Sequence, residues 1–273
     1  MADVADRAEA AALYWRLVRA QIRAQWQYRA SFVLQLLGAF ALTFVDFLAV
    51  LVIFSHLPYL AGWSLGEVAF LYGTSYIAFQ FADLTVGQLD GLGDKVQRGD
   101  FDLVLIRPRG TLFQLLASDI AMRRLGAMAQ AGIVLGVAFS LVDVHWTPGR
   151  VLVLLTMPVT GFLVFAGVWI IGATTTFWTT RSMEVVNSVT YGGQFLTSYP
   201  MNVYGAWLRR IFIFAVPLAF VNYFPALYVL DKRDPLGAPG FVRFLAPVVA
   251  VVLLFVANRI WSFGVRHYRS TGS

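Results

Sequence analysis

The chain has 273 residues, of which 59% are hydrophobic and only 13% are charged. An ordinary soluble domain carries about 25% charged residues, so we expect an integral membrane protein with no room for a sizeable soluble domain. The formal net charge is +6. Because the basic residues lie beside apolar segments, we attribute them to membrane topology and lipid headgroups rather than to nucleic acid. The absence of cysteine excludes disulfides, thiolate metal sites and a cysteine nucleophile.

The segment before the first apolar stretch has an amphipathic pattern. Val18, Ile22 and Trp26 recur every four residues, and several arginines recur on another face. This pattern predicts a helix that lies in the membrane interface, with its apolar side in lipid and its arginines among the headgroups. A positively charged flank that only fixes orientation is the alternative. Both interpretations place residues 1–31 on the cytoplasmic side.

Apolar stretches recur along most of the remaining chain. About 20 apolar residues cross the roughly 30 Å hydrocarbon core as a helix, so the length allows about six spans. The first two predicted spans, 32–54 and 66–88, lie in the region 32–88. The other four lie in the region 111–262 and are 124–142, 151–177, 184–200 and 241–262. We therefore predict an all-α integral membrane protein with six transmembrane helices, forming one domain over residues 1–273. Its cytoplasmic parts include a segment at 91–110 and a tail at 263–273. Most of the 21 Lys and Arg residues then lie inside, which favours two cytoplasmic termini.

The region 201–230 allows two topologies. It either forms a broken, re-entrant pair of helices on the outer side, or contains the fifth span at 211–230 while 181–210 stays in the cytoplasm. The distribution of Lys and Arg favours the second arrangement. Pro217, Pro225 and the polar Asn222 favour a broken element, since non-helical backbone at membrane depth must be buried in protein or face a cavity.

Motifs for covalent chemistry are sparse. The sequence contains no phosphate-binding loop of the GxxxxGK[ST] type, no HExxH zinc motif and no GxSxG nucleophile elbow. Asp83, Asp90 and Asp94 could together hold Mg²⁺ for a lipid phosphotransferase. The alternative is an acidic, glycine-rich turn where a helix leaves the membrane.

Asp46 lies deep in the first predicted span. A charge at such depth is costly and tends to face the interior of a bundle or a wet cavity. Asp46 is therefore either part of a substrate path or proton relay, or a protonated or paired carboxylate that holds helices together.

The order of these elements resembles that of a membrane permease subunit of type-2 ABC exporters, in particular a bacterial subgroup of uncharacterised permeases. The segments that carry the resemblance, together with the interfacial N-terminal helix, are Val96–Leu105 followed by Arg107 and Pro108, Tyr199-Pro200, Trp207–Arg209, Pro217–Phe220 and Gly264–Ser273. The resemblance implies the re-entrant topology, with Arg209 and Arg210 outside. It also implies a cytoplasmic coupling helix between the second and third spans, and residence in the bacterial cytoplasmic (inner) membrane.

The resemblance further implies the partners of the chain. A dimer of separate ATPase subunits docks against the interfacial helix and the coupling segment, where Asp100, Phe101, Asp102 and Leu103 are the expected contacts. ATP and Mg²⁺ belong to that partner, and no cofactor is expected in this chain. A second copy or a related permease, with membrane lipids around both, would complete a translocation path that passes Asp46. Two functions of other classes stay open from the sequence, the lipid phosphotransferase and a non-transporting membrane scaffold or immunity subunit.

Overall fold

The computed structural model describes residues 16, 18–118, 120–179 and 183–268, without the side chains of 183 and 185. The rest of the predicted N-terminal helix and the end of the predicted tail lie outside the described residues. Those described are mainly helical and contain no β-strand, which confirms the all-α prediction.

A helical segment at 18–27 precedes eleven α-helices. These are α1 Arg29–His56, α2 Leu65–Val86, α3 Leu92–Gln97, α4 Asp100–Leu105, α5 Thr111–Leu116, α6 Arg124–Leu141, α7 Pro148–Thr174, α8 Met183–Thr197, α9 Ala206–Arg210, α10 Tyr223–Val229 and α11 Ala246–His267.

Four helices in the described part of the chain are long and apolar enough to cross a membrane. They are α1, α6, α7 with the 3₁₀ turn that follows it, and α11. A fifth would be the bent segment 206–229, if its two halves, which meet at 76°, form one span. The prediction of a multi-span membrane protein is therefore confirmed, and the count of six stays a prediction.

Helix α2 lies at the centre of the bundle, between α6 and α7. It has 22 residues, and most of them are buried, including Tyr72, Tyr76 and Phe79. Its first turn is closed by a capping box, in which the Ser64 hydroxyl accepts from the Glu67 amide and the Glu67 carboxylate accepts from the Ser64 amide. Because neighbouring helices cover α2, its sequence can be more polar than that of a helix that faces lipid.

The loops 57–64 and 142–147 mark one end of the bundle, which we call the upper end; residues 87–118 mark the lower end. Asn202 lies at the upper end, where it accepts from the Trp63 indole at 3.1 Å and donates to the Ala61 carbonyl at 2.9 Å. The bent segment then runs towards the lower end. Its Pro217 lines a cavity together with Ile171, which lies three residues before the lower end of α7.

From Pro217 the chain returns to the end from which it came. A Cβ on Gly161 would meet Val221 at 3.1 Å, and a Cβ on Gly149, at the start of α7, would meet the Tyr228 hydroxyl at 2.6 Å. Lys232 then reaches Glu67 at the upper end, with an Nζ–Oε1 distance of 2.7 Å. Both ends of the bent segment therefore lie at the same end of the bundle.

Close contact between α1 and α6 depends on a glycine. A Cβ on Gly126 would lie 2.0 Å from the carbonyl oxygen of Leu36, whereas a Cβ on Gly132, on the same helix, would meet nothing within 4 Å. Small residues allow helix backbones in membranes to approach closely, and this approach is a main source of their packing energy.

We predict that Gly126→Ala lowers the thermal unfolding midpoint of the purified protein, because the methyl group forces α1 away from α6 at a cost of about 1–3 kcal/mol. The matched variant Gly132→Ala should leave the midpoint unchanged or raise it, since alanine is favoured over glycine within a helix by roughly 0.5–1 kcal/mol. Equal midpoints for the two variants would contradict the packing of α1 on α6.

Candidate functional site

The predicted coupling residues lie at the lower end of the bundle, on α4. Gly99, with φ of 75°, forms the left-handed turn that separates α3 from α4. Phe101 is fully buried, with its ring centroid 5.1 Å from that of Phe177 and 4.9 Å from that of Tyr268. This side chain holds α4 against the ends of α7 and α11 and offers no surface to a partner chain in this structure.

The other members of this set are more accessible. Leu103 is 56% exposed, and the exposed carboxylate of Asp100 lies 3.8 Å from the Arg98 guanidinium. Asp102 is half-buried. The apolar side chains of α4 therefore divide into two that pack towards the bundle, Phe101 and the half-buried Val104, and two that face outward, Leu103 and Leu105. Sequence periodicity over six residues was too short to separate the two faces.

A buried ion pair joins the lower ends of α2 and α6. The Arg124 guanidinium lies 2.6 Å from the Asp83 carboxylate, and the Asp83 side chain is only 3% exposed. Both groups are close to the point where the chain leaves α2 for α3. The pair therefore fixes the start of the coupling segment relative to α6.

Asp90 forms a second connection at the same end. It accepts hydrogen bonds from the Trp169 indole at 2.7 Å and from the Tyr191 hydroxyl at 3.0 Å. Burial raises the pKa of the Asp90 carboxyl above its ordinary value, and these two hydrogen bonds act in the opposite direction. Asp90 thus links the 3₁₀ turn before α3 to α7 and α8.

The three aspartates considered for Mg²⁺ do not form one site. Asp83 is paired with Arg124 and Asp90 is held by two donors, while Asp94 is exposed. The described residues contain no group of three or more side chains that could hold a metal ion. This finding removes the structural basis for a Mg²⁺-dependent phosphotransferase at these residues.

At the upper end, charged side chains fix the return of the bent segment. Lys232 pairs with Glu67 and lies 4.9 Å from the centroid of the Trp63 ring. Arg150, at the start of α7, lies 2.9 Å from the Asp231 carboxylate. The sequence indicated the loop at 231–240, but the pairing of Lys232 with Glu67 spans 165 residues and left no local signal.

Asp46 lies between the two ends, on α1. The Tyr76 hydroxyl donates to its carboxylate at 2.9 Å, and the Tyr76 ring is stacked on Tyr72 with centroids 4.0 Å apart. On the bent segment, the Asn222 side-chain amide donates to the carbonyls of Leu71 and Thr197 at 2.9 and 2.8 Å. The sequence predicted the depth of Asp46 but could not predict its tyrosine partner.

These features define a helical multi-pass membrane protein with polar connections at both ends of its bundle. The model of a family described as ABC-2 family transporter proteins matches residues 40–272, and the chain therefore belongs to that family. This confirms the resemblance to type-2 ABC permeases and makes the chain a membrane permease of an ABC transporter, while the bacterial subgroup stays a prediction. No curated protein and no solved structure matches it.

We predict that Arg124→Leu destabilises the protein by about 3 kcal/mol, because it leaves the Asp83 carboxylate buried without its counter-ion. The double variant with Asp83→Leu should recover most of this loss, and Arg123→Leu, which removes an exposed neighbouring arginine, should change stability little. The measurement is the unfolding free energy, in one detergent, of the native chain, both single variants Arg124→Leu and Asp83→Leu, their double variant and Arg123→Leu. If the effects of the two single substitutions simply add in the double variant, a direct Asp83–Arg124 interaction is contradicted.

Proposed function

We propose that this permease forms the translocation path of an ATP-driven exporter and is driven by a dimer of separate ATPase subunits docked at its lower end. The observation that carries the proposal is the segment formed by α3 and α4. It is tied to the bundle from inside by Phe101 and presents Asp100 and Leu103 outward. A surface that is exposed yet rigidly connected to the long helices is what mechanical coupling to a partner requires.

The contacts of this segment give a route for the motion. Closure of the ATPase dimer upon ATP binding would displace α3 and α4. Phe101 would carry the displacement to the ends of α7 and α11, and Asp90 would carry it to Trp169 on α7 and Tyr191 on α8. The hydrolytic chemistry, with its ATP and Mg²⁺, belongs to the partner. This chain contributes a shaped path and no covalent step.

The N-terminal segment supports the same docking face. Gln21 and Gln25 donate to the carbonyls of Ala117 and Ile120, each at 3.0 Å. The helical segment 18–27 therefore lies at the lower end, beside the residues that follow α5. We infer that it is the predicted interfacial helix and that the lower end, with both termini, faces the cytoplasm of a bacterial cell.

The bent segment 206–229 is best explained as a re-entrant element. It begins near Asn202 and ends near Lys232, both at the upper end, and its turn at Pro217 lies next to α7 and α8. This geometry supports the alternative that the distribution of charge alone disfavours. Arg209 and Arg210 would then lie on the outer side.

Pairing with a second permease completes the proposed path. Helix α1 is the least buried of the four candidate span helices, and it exposes large apolar side chains such as Leu42 and Val45. We propose that this side of the chain faces lipid and a second copy or a related permease chain.

The first experiment is affinity purification of the tagged chain from native membranes in mild detergent. We expect an ATPase subunit to co-purify. Leu103→Ala should reduce its recovery and its ATPase activity by severalfold, because the variant removes an exposed contact without a loss of internal packing. Leu141→Ala, an exposed leucine at the upper end, is the matched control. A stable chain that never captures an ATPase would contradict the proposed function.

The topology can be measured with single cysteines, since the native chain contains none. Cysteines at the exposed positions Arg210 and Arg233 should both react with an impermeant thiol reagent in intact cells. A cysteine at Arg98 should react only after the membrane is opened. If position 210 instead behaves like position 98, the bent segment crosses the membrane and the re-entrant assignment is wrong.

A further inference from the structure

Asp46 differs from the other charged groups of the chain by its position. It is the only charged residue between positions 32 and 54, and ten residues separate it from the end of α1. At 1.5 Å per residue it lies about 15 Å from that helix end. An ionisable group at such depth is costly in a membrane and calls for a partner.

Two other acidic side chains of the bundle, Asp83 and Glu67, have a cationic partner, and Asp46 has none among the described residues. Arg124 lies 2.6 Å from Asp83, and Lys232 lies 2.7 Å from Glu67. The contact of Asp46 is the neutral hydroxyl of Tyr76 at 2.9 Å. A hydroxyl donor orients a carboxylate but does not balance its charge.

The Asp46 carboxylate is also accessible from outside the chain. Its side chain is partly exposed on α1, and exposed Leu42 and Val45 lie on the same helix. The result is a carboxylate held by one tyrosine hydroxyl and set in an otherwise apolar surface.

This chemistry selects one kind of ligand. An organic cation with an apolar body would balance the carboxylate and contact the apolar side chains around it. Calcium and similar hard cations need six or more oxygen ligands, and the described residues contain no group of three or more metal-ligating side chains.

We propose that Asp46 is the recognition residue for lipophilic organic cations, compounds that carry a protonated amine or a permanent positive charge on an apolar body. The inference rests on the proposed function and names the substrate class of its path. Tyr76 orients the carboxylate.

The test is equilibrium binding of tetraphenylphosphonium to the full-length chain in lipid nanodiscs, with tetraphenylborate as a probe of the same shape and opposite charge. We expect the cation to bind and the anion to bind at least about tenfold more weakly. Asp46→Asn should weaken cation binding by a similar factor, and Asp46→Glu should retain it. Val52→Asn, which places the same amide on another exposed position of α1 outside the proposed binding surface, should bind like the native chain.

The cysteine-free sequence allows a second test that restores the charge chemically. Asp46→Cys should bind tetraphenylphosphonium weakly, and should regain binding after modification with a sulfonate-bearing methanethiosulfonate reagent. The trimethylammonium reagent should not restore it. Because both comparisons start from one purified variant, a general loss of folded protein cannot produce the difference between them.

Equal binding of the two probes, binding of neither, or cation binding that is unchanged in Asp46→Asn would overturn the inference. Since the assay needs no ATPase, its outcome is separate from that of the co-purification. A chain that binds the cation through Asp46 but captures no ATPase would contradict the proposed function alone.

Discussion

Polar groups inside an apolar helix bundle must be satisfied by other groups of the protein, because hydrocarbon supplies no hydrogen bonds. Helix α2 is the element on which this constraint acts most strongly, since it is buried along most of its length. Three of its polar side chains are each satisfied by a different part of the chain: Glu67 by Lys232 after α10, Ser75 by Thr197 on α8, and Asp83 by Arg124 on α6. The position of each of those elements is therefore fixed by the need to satisfy α2.

This arrangement connects the two ends of the bundle. A helix of 22 residues rises about 33 Å, so a displacement near Asp83 moves the same rigid element that carries Glu67. At the upper end, Glu67 holds Lys232 and with it the return of the bent segment. A movement that begins at the segment formed by α3 and α4 can thus reach the opposite end without unfolding any helix.

The sequence predicted the helices that depend on hydropathy. The span predicted at 151–177 is α7 at Pro148–Thr174, and that at 241–262 is α11 at Ala246–His267. Pro217 was a sound indicator of a break, because proline removes a helical hydrogen bond. The predicted span 66–88 corresponds to α2, although its polar residues keep it out of the set that is apolar enough to face lipid.

The side-chain partners could not be predicted in the same way. Trp63 and Asn202 are 139 residues apart, and no local pattern encodes their contact. Phe101 shows the same limit at short range. Its apolar neighbours on α4 are chemically similar to it, yet Leu103 is exposed while Phe101 packs on Phe177 and Tyr268.

Under our proposal for Asp46, the contrast between Asp83 and Asp46 follows from the different task of each carboxylate. A buried pair such as Asp83–Arg124 has a large penalty for separation, so it suits a joint that stays closed. A residue of a transport path needs the opposite property, since a permanent cationic partner would compete with every passing ligand. Asp46 is held in place by Tyr76, whose ring is fixed by stacking on Tyr72, and no cationic side chain among the described residues pairs with it. Such a carboxylate is already oriented for a ligand, and no cation of the chain has to be displaced. Less of the free energy of binding is then lost to ordering and competition.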